Sequence, residues 1–384
     1  MLEPLGQSHK LAYLEKLGRE RDIHLLSFEK QPDWVDTRAR TTVARRIAAA
    51  GIFWHPRRYH KRPSAIATAW DIGSGIAVGL SLGYRHGIGI VHARSYVPAV
   101  MALVLKQVAG TKFVFDMRGF WADERVDGGL WPRDGRMYRL AKWFERRFLL
   151  NADHVVSLTH AAVAEMKRFD YLQGRMPPVT VIPTCADLQR FAPQPTPKGD
   201  FVLGYVGSAG TWYLFDAVVA AFVRLLERLP AARLLVVNRN EHDYIRQRLQ
   251  AGGVPQHAVE LCAASHAQVP ELMARMHAGV FFIKPVFSKQ ASAATRLGEF
   301  LGCGIPCLTN TGVGDMTAVL EGERVGVAVD GFDPATLDAG LTRLLALVQE
   351  PDLRQRCVAA AHKHFSLDEG VARYRAMHAE LDGT

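Results

Sequence analysis

Residues 284–306 set cations, hydroxyls and a carboxylate in an order that suits an organic phosphate. Lys284, Lys289, Ser292, Thr295 and Arg296 follow a short apolar run, and Glu299 stands four and three places beyond Thr295 and Arg296. The apolar spacing of 294–303 predicts a helix with Thr295 and Arg296 in its first turn. Unpaired backbone N–H groups and the helix dipole favour an anion there, and a guanidinium can grip two phosphate oxygens at once. Glu299 then shares that face one turn on, where a carboxylate can accept from two vicinal ribose hydroxyls. The same spacing also allows a plain surface ion pair between Glu299 and Arg296.

A glycine turn precedes this segment. An apolar run enters Gly204-Tyr-Val-Gly207-Ser208-Ala-Gly210-Thr211-Trp-Tyr213, which should open a helix. Backbone N–H groups with no Cβ in the way can cradle a phosphate at such a turn. The spacing is not that of the dinucleotide fingerprint G-x-G-x-x-G, so a structural turn fits equally well. In the first half, Arg94 follows the run 89–92, while Asp116 and Arg118 close and follow the run 113–116. Arg118 can grip an acceptor or a phosphate, or it can pair with Asp116, Asp123 or Glu124. Trp121 suits a packing anchor or a sugar platform.

The elements that must position these groups alternate along the chain. Short apolar runs at 23–28, 52–55, 89–92, 113–116, 154–158 and 179–183 predict strands in the first half. Runs at 201–206, 233–237, 259–262, 279–283 and 306–309 do so in the second. Between them lie segments of helical period such as 215–228 and 337–347. The fold class is therefore α/β, with two doubly wound, Rossmann-like domains of parallel sheet covered on both faces. Ligands of such sheets bind beyond the carboxyl ends of the strands. The proline-rich stretch 191–200 divides 1–190 from 201–350, and 351–384 should be helical and pack back on the first domain. The chain opens on a glycine turn at 2–8 and a helix at 10–20, so the first strand of its domain is expected to be missing.

Composition bounds the partners. With 384 residues, 48 % hydrophobic and 22 % charged, the chain is folded. Cys185, Cys262, Cys303, Cys307 and Cys357 lie mostly in apolar runs and read as reduced thiols of a cytoplasmic protein. The pair Cys303 and Cys307 lacks the further ligands of a zinc site. The uncharged stretch 72–84 is interrupted by glycines and shorter than the roughly 20 residues a bilayer span needs, which implies a soluble or peripheral protein. A net charge of +9 suits phosphorylated substrates or an anionic membrane surface; no nucleic-acid-binding motif accompanies it. The segment 131–150 is amphipathic, with Met137, Leu140, Ala141, Phe144 and Phe148 on one face and Arg136, Arg139, Trp143, Arg146 and Arg147 elsewhere. Basic residues and tryptophan so arranged suit an anionic bilayer, as does the cluster Arg57-Arg58-Tyr-His-Lys61-Arg62 less strongly. A helix docked on the sheet with a solvated basic face is the plainer reading.

Taken together, Gly-Tyr-Val-Gly-Ser-x-Gly-Thr-Trp-Tyr at 204–213, Ser-Lys-x-x-Ser at 288–292, Arg-Leu-Gly-Glu-x-Leu-x-x-Gly-Ile-Pro at 296–306 and Gly312-Val-Gly314-Asp315 resemble the retaining family-4 glycosyltransferases. Phe115-Asp-Met-Arg118-Gly-Phe-Trp121 and Val181-Ile-Pro-Thr-Cys185-Ala-Asp187 resemble a bacterial surface-polysaccharide branch of that family. The resemblance implies the GT-B architecture, a nucleoside diphosphate sugar donor, a glycan or lipid-linked acceptor, no cofactor and no metal. It assigns donor binding to Gly207, Ser208, Lys284, Ser292, Thr295, Leu297, Gly298 and Glu299. Catalytic charge falls to Arg296, Lys289 and Arg94, and the acceptor side to Gly6, Asp116 and Arg118. Two departures stand out: Ala291 replaces a second acidic residue common in the family, and no Arg or Lys lies in 208–213. A nucleotide-sugar epimerase of the same architecture and a non-catalytic partner in a glycan assembly complex are the competing implications.

Overall fold

A computed structural model describes residues 2, 11–193, 195 and 197–383, the side chain of Ser64 excepted. The first domain carries β1 (Ile23–Glu29), β2 (Ile52–Arg58), β3 (Ile90–Arg94), β4 (Lys112–Asp116), β5 (His154–Ser157) and β6 (Val179–Val181). The second carries β7 (Val202–Val206), β8 (Arg233–Val237), β9 (Val259–Cys262), β10 (Ala278–Val280), β11 (Cys307–Asn310) and β12 (Gly326–Val329). All ladders are parallel. The second sheet runs β12-β11-β10-β7-β8-β9, and the first domain holds a four-stranded sheet β3-β4-β5-β6 beside a separate pair β1-β2. Phe113, Val114 and Phe115 of β4, like Leu234, Leu235 and Val236 of β8, are buried on both faces. That is what continuous apolar strands require.

The two domains keep separate cores, joined where the chain crosses between them. Phe191 packs in the second-domain core, as do Leu353, Cys357, Ala360 and Phe365 of helix Leu353–Phe365. The next helix, Leu367–Asp382, returns to the first domain, where Val371, Tyr374 and Met377 pack with Tyr13, Val114, Val156 and Ile182. Both crossings touch, through a bridge between Ala186 and Ser366.

Several expectations need correction. The stretch 72–84 is not broken by its glycines: it lies inside one helix, Ser64–His86, of 23 residues. Gly75 and Gly79 let that helix press on Met101 and Leu105 of helix Tyr96–Ala109, where a Cβ would collide with both side chains. Tertiary packing there outweighs the poor helix propensity of glycine. Strand β3 runs on through Arg94 instead of stopping at position 92, and β12, short and led by glycine, escaped the sequence pattern altogether. In helix Arg136–Asn151 the buried face is Ala141, Glu145, Phe148 and Leu149, while Met137 and Leu140 are exposed beside Trp143. Glu145 goes inward because Tyr96 and Lys142 bond it there. The helix expected at 10–20 covers Ala12–Leu17 among the described residues, and Gly6 lies outside them.

Candidate functional site

Helix Thr295–Gly302 begins directly opposite the glycine turn that follows β7. Gly207 has φ +108°, and a Cβ there would overlap the Arg296 guanidinium. The guanidinium lies 3.9 Å from the ring centroid of Tyr213, and its Nη1 is buried without a hydrogen-bond partner. A buried donor left unfilled costs free energy until an acceptor meets it. Glu299, one turn on, is partly buried, and burial pushes its carboxyl up to about 7 despite the opposing pull of Arg296. The helix start has no side-chain cap of its own, which leaves first-turn N–H groups available to an anion.

The glycine turn itself is spoken for. Ala209 N–H and Gly210 N–H donate to the Glu241 carboxylate at 2.9 and 3.0 Å, and Gly207 N–H donates to Val237 O. Asn238 ties the same group by donating to Glu241 and to Gly207 O, both at 2.9 Å. Burial would raise the Glu241 carboxyl, but the Ala209, Asn238 and Gly210 hydrogen bonds, with Arg296 nearby, bring it below its usual range. The N–H groups of Gly207, Ala209 and Gly210 thus serve the turn itself, and the Arg296 cation faces it from across the gap. Glu241 and Asn238 were not singled out in the sequence; Asn238-x-x-Glu241 straight after a strand was the available signal.

The remaining expected donor residues are distributed unevenly. Thr295 is half-buried at the helix start and Ser208 is exposed on the turn. Leu297 N–H already donates to Ala294 O at 3.0 Å, and Gly298 faces Phe365 and Ala186, where a Cβ would clash. Lys284 is exposed and lines a surface hollow of about 490 Å³ with Thr211, Tyr213, Tyr244 and Phe332. Ser292 packs its carbonyl against Gly314, which holds φ +44°.

Lys289 is committed across the domain boundary. Its ammonium bonds Glu124 of the first domain at 2.7 Å and sits 3.7 Å from the Trp212 ring centroid. Around it, Ser288 N–H donates to Asp127, and Thr159 Oγ1 donates to Gln290 O. Ala291 is fully buried in the first-domain core, close against Gly119. An acid at that position would be an unpaired buried charge, which gives the departure at Ala291 a physical reason. The Gly312–Asp315 loop joins the same clamp: Asp315 accepts from His160 N–H and Ala161 N–H at 2.7 and 2.9 Å, capping a helix of the opposite domain.

Arg94, Asp116 and Arg118 form a second cluster in the first domain. Asp116 is fully buried, with Arg94 and His92 each 3.7 Å away and Tyr374 donating to it at 3.3 Å. Burial alone would raise this carboxyl, but Arg94, then His92 and Arg118, hold it well below the carboxylate range. Arg118 adopts φ +60° and reaches Thr184, so it pairs with neither Asp123 nor Glu124. His378, on the returning helix, is pushed down to about 3 by burial and by His92 and Arg21. Among the described residues no hydrogen bond or ion pair joins this cluster to Arg296 and Glu299. Trp121 packs on Tyr96 and Trp131.

Residues 11–185 match the glycosyl transferase 4-like domain family, and residues 188–364 match the glycosyl transferases group 1 family. The chain is a glycosyltransferase of the GT-B architecture. It is similar in structure to sucrose-phosphate synthase from Thermosynechococcus elongatus, at 16 % identity over 94 % of this chain and 100 % of that one, with a TM-score of 0.70. Anabaena HepE solved with UDP gives 15 % identity, 99 % and 98 % coverage and a TM-score of 0.67. A glycosyltransferase from Rickettsia africae gives 12 %, 94 %, 99 % and 0.67. At these identities the likeness speaks for the fold. No curated protein matches this glycosyltransferase by sequence.

Proposed function

We propose that this glycosyltransferase moves a sugar from a nucleoside diphosphate sugar to a lipid-linked glycan acceptor, with retention at the anomeric carbon and without a metal. The observation that carries the donor reading is the Arg296 guanidinium, stacked on Tyr213 with its Nη1 buried and short of a partner. A diphosphate supplies the missing acceptor oxygens, and Glu299 takes the ribose hydroxyls one turn further along the helix. As the bond between the anomeric carbon and the diphosphate oxygen breaks, charge grows on that oxygen. Arg296 and the helix start, fixed before the reaction, stabilise it in the place a metal would otherwise take. Lys289 is the second cation on the same segment, held by Glu124 while the domains are clamped. Anabaena HepE, of the same fold, is solved with UDP and with UDP-glucose, which supports a nucleotide-sugar donor here. Retention and a role in surface-polysaccharide or lipopolysaccharide assembly rest on the motif resemblance at 288–306 and 115–121.

Calorimetry with UDP, GDP and ADP tests the donor site. One of them should bind the wild type, and Arg296→Ala should weaken it by at least about tenfold through loss of a bidentate charged contact. Equal affinity in the variant would refute this placement of the diphosphate.

A further inference from the structure

One long apolar helix of the molecule lies on its surface. Ala65–His86 is long and apolar enough to cross a membrane by length and composition, yet only 17 % of its apolar stretch is buried. Ile66 is 70 % exposed, Trp70 67 % and Tyr84 95 %. With Ala69, Gly73, Ala77 and Ser81, also exposed, they make one uncharged stripe of helical period. The stripe continues onto neighbours. Helix Tyr96–Ala109 packs beside it and exposes Val97 and Val108; helix Arg136–Asn151 packs next and exposes Met137, Leu140 and Trp143. Exposed apolar side chains gathered on three helices packed side by side mark an interaction site.

The charge around it selects the occupant. From Thr37 to Phe115 the chain carries twelve Lys and Arg against a single carboxylate, Asp71. Asp71 is buried and bonded to His60, at 2.6 Å to the ring and 2.9 Å to the N–H. The net +11 of that segment exceeds the +9 of the whole chain, so the protein's basicity is concentrated here. Arg57, Arg58, Lys61 and Arg62 are exposed just ahead of the apolar helix, and Arg136, Arg139, Arg146 and Arg147 are exposed on the third.

We infer that these three helices are the docking face for an anionic lipid bilayer, with helix Ser64–His86 lying flat in the interface. Exposed apolar side chains match acyl chains, and the exposed cations that accompany them match phosphate headgroups. The helix does not span: Gly75 and Gly79 fasten its inner side to Met101 and Leu105, and Asp71 sits within it. A second copy of the chain is the poorer occupant, because a symmetric self-contact would set like charges against one another. This deepens the lipid-linked acceptor reading and rests on it only for the purpose of docking.

Co-sedimentation with phosphatidylcholine vesicles, with and without phosphatidylglycerol, tests it, each protein also being titrated with UDP, GDP and ADP by calorimetry. The wild type should pellet with the anionic vesicles only and detach at high salt. Replacing Arg57, Arg58, Lys61 and Arg62 by serine should weaken binding about fivefold per residue. A double variant combining Ile66→Glu with Trp70→Glu, both at exposed positions, should abolish pelleting while nucleotide binding persists, which certifies the fold. Equal partitioning into both vesicle types, or full binding by that double variant, would overturn the inference. So would a concentration-dependent dimer that the same double variant dissolves. Wild type that binds vesicles but no nucleotide would overturn the donor reading alone.

Discussion

Replacing Glu299 by glutamine should make the free protein more stable as pH rises. The carboxyl is raised from its usual 4.5 to about 7 by burial. At about 1.4 kcal/mol per tenfold, that is a preference of about 3 kcal/mol for the neutral acid in the folded chain. The unfolded chain releases the proton near 4.5 and the folded chain near 7. The wild type is therefore fully stable below the lower value and loses stability as pH rises through the upper one. Between about pH 5 and about pH 8 the loss integrates to about 2.5 kcal/mol, and Glu299→Gln, having no proton to lose, escapes it. Urea unfolding of both proteins across that range measures the difference directly. The variant's advantage should grow with pH and level off above about pH 8. A difference that stays flat, or a variant that becomes the weaker protein at high pH, would mean that Glu299 is already ionised and simply paired with Arg296. The pH dependence of nucleotide binding expected from Glu299 would lose its basis with it.

Four further outcomes follow from the same contacts. UDP binding by the wild type should weaken about tenfold from about pH 8 to about pH 6, as Glu299 takes up its proton, while Glu299→Gln shows a flat profile in calorimetry. Gly207→Ala adds a Cβ to a backbone at φ +108° and displaces Arg296; it should cost about 1–3 kcal/mol of stability and most of the nucleotide affinity, measured by melting with and without UDP. Asp315→Ala removes a cap that crosses the domain boundary. It should cost about 1 kcal/mol and increase the radius of gyration in small-angle scattering, and an unchanged radius would refute its clamping role. Asp116→Ala leaves Arg94 and Arg118 without their buried counter-charge and should destabilise by about 3–5 kcal/mol in unfolding measurements.

The sequence showed the sheets more clearly than it showed their contacts. Apolar runs such as 113–115 and 234–237 announce doubly buried strands because a polar group on either face would need a buried partner. The division into two α/β halves was legible for the same reason. Arg296 and Glu299 were brought together by helical spacing alone, which geometry respects within one turn. Glu241 was not legible, since its partners Ala209 and Gly210 lie far back in the chain on a different loop and local periodicity carries no such information. The glycines of helix Ser64–His86 read locally as breakers, whereas Gly75 and Gly79 are positions where side chains of the next helix come too close for a Cβ. Likewise the period groups Met137 and Leu140 with Ala141 and Phe148 on one face, and it carries no sign that Tyr96 and Lys142 bond Glu145 in the interior.

The anion site and the domain clamp share one short segment. Ser288 and Lys289 hold the first domain through Asp127 and Glu124, Gln290 receives Thr159, and Ala291 enters the first-domain core. Arg296 begins the helix only a few residues later. A ligand that draws on Arg296 therefore pulls on the backbone that fastens the two domains together, and a change in closure moves the cation in turn. The unpartnered Nη1 of Arg296 and the engaged Lys289 are consistent with that coupling. The clamp is complete in the free protein, while the charge reserved for the ligand is left open. Nucleotide binding and domain closure should accordingly respond together to substitutions anywhere in 288–296, including those that never touch the nucleotide.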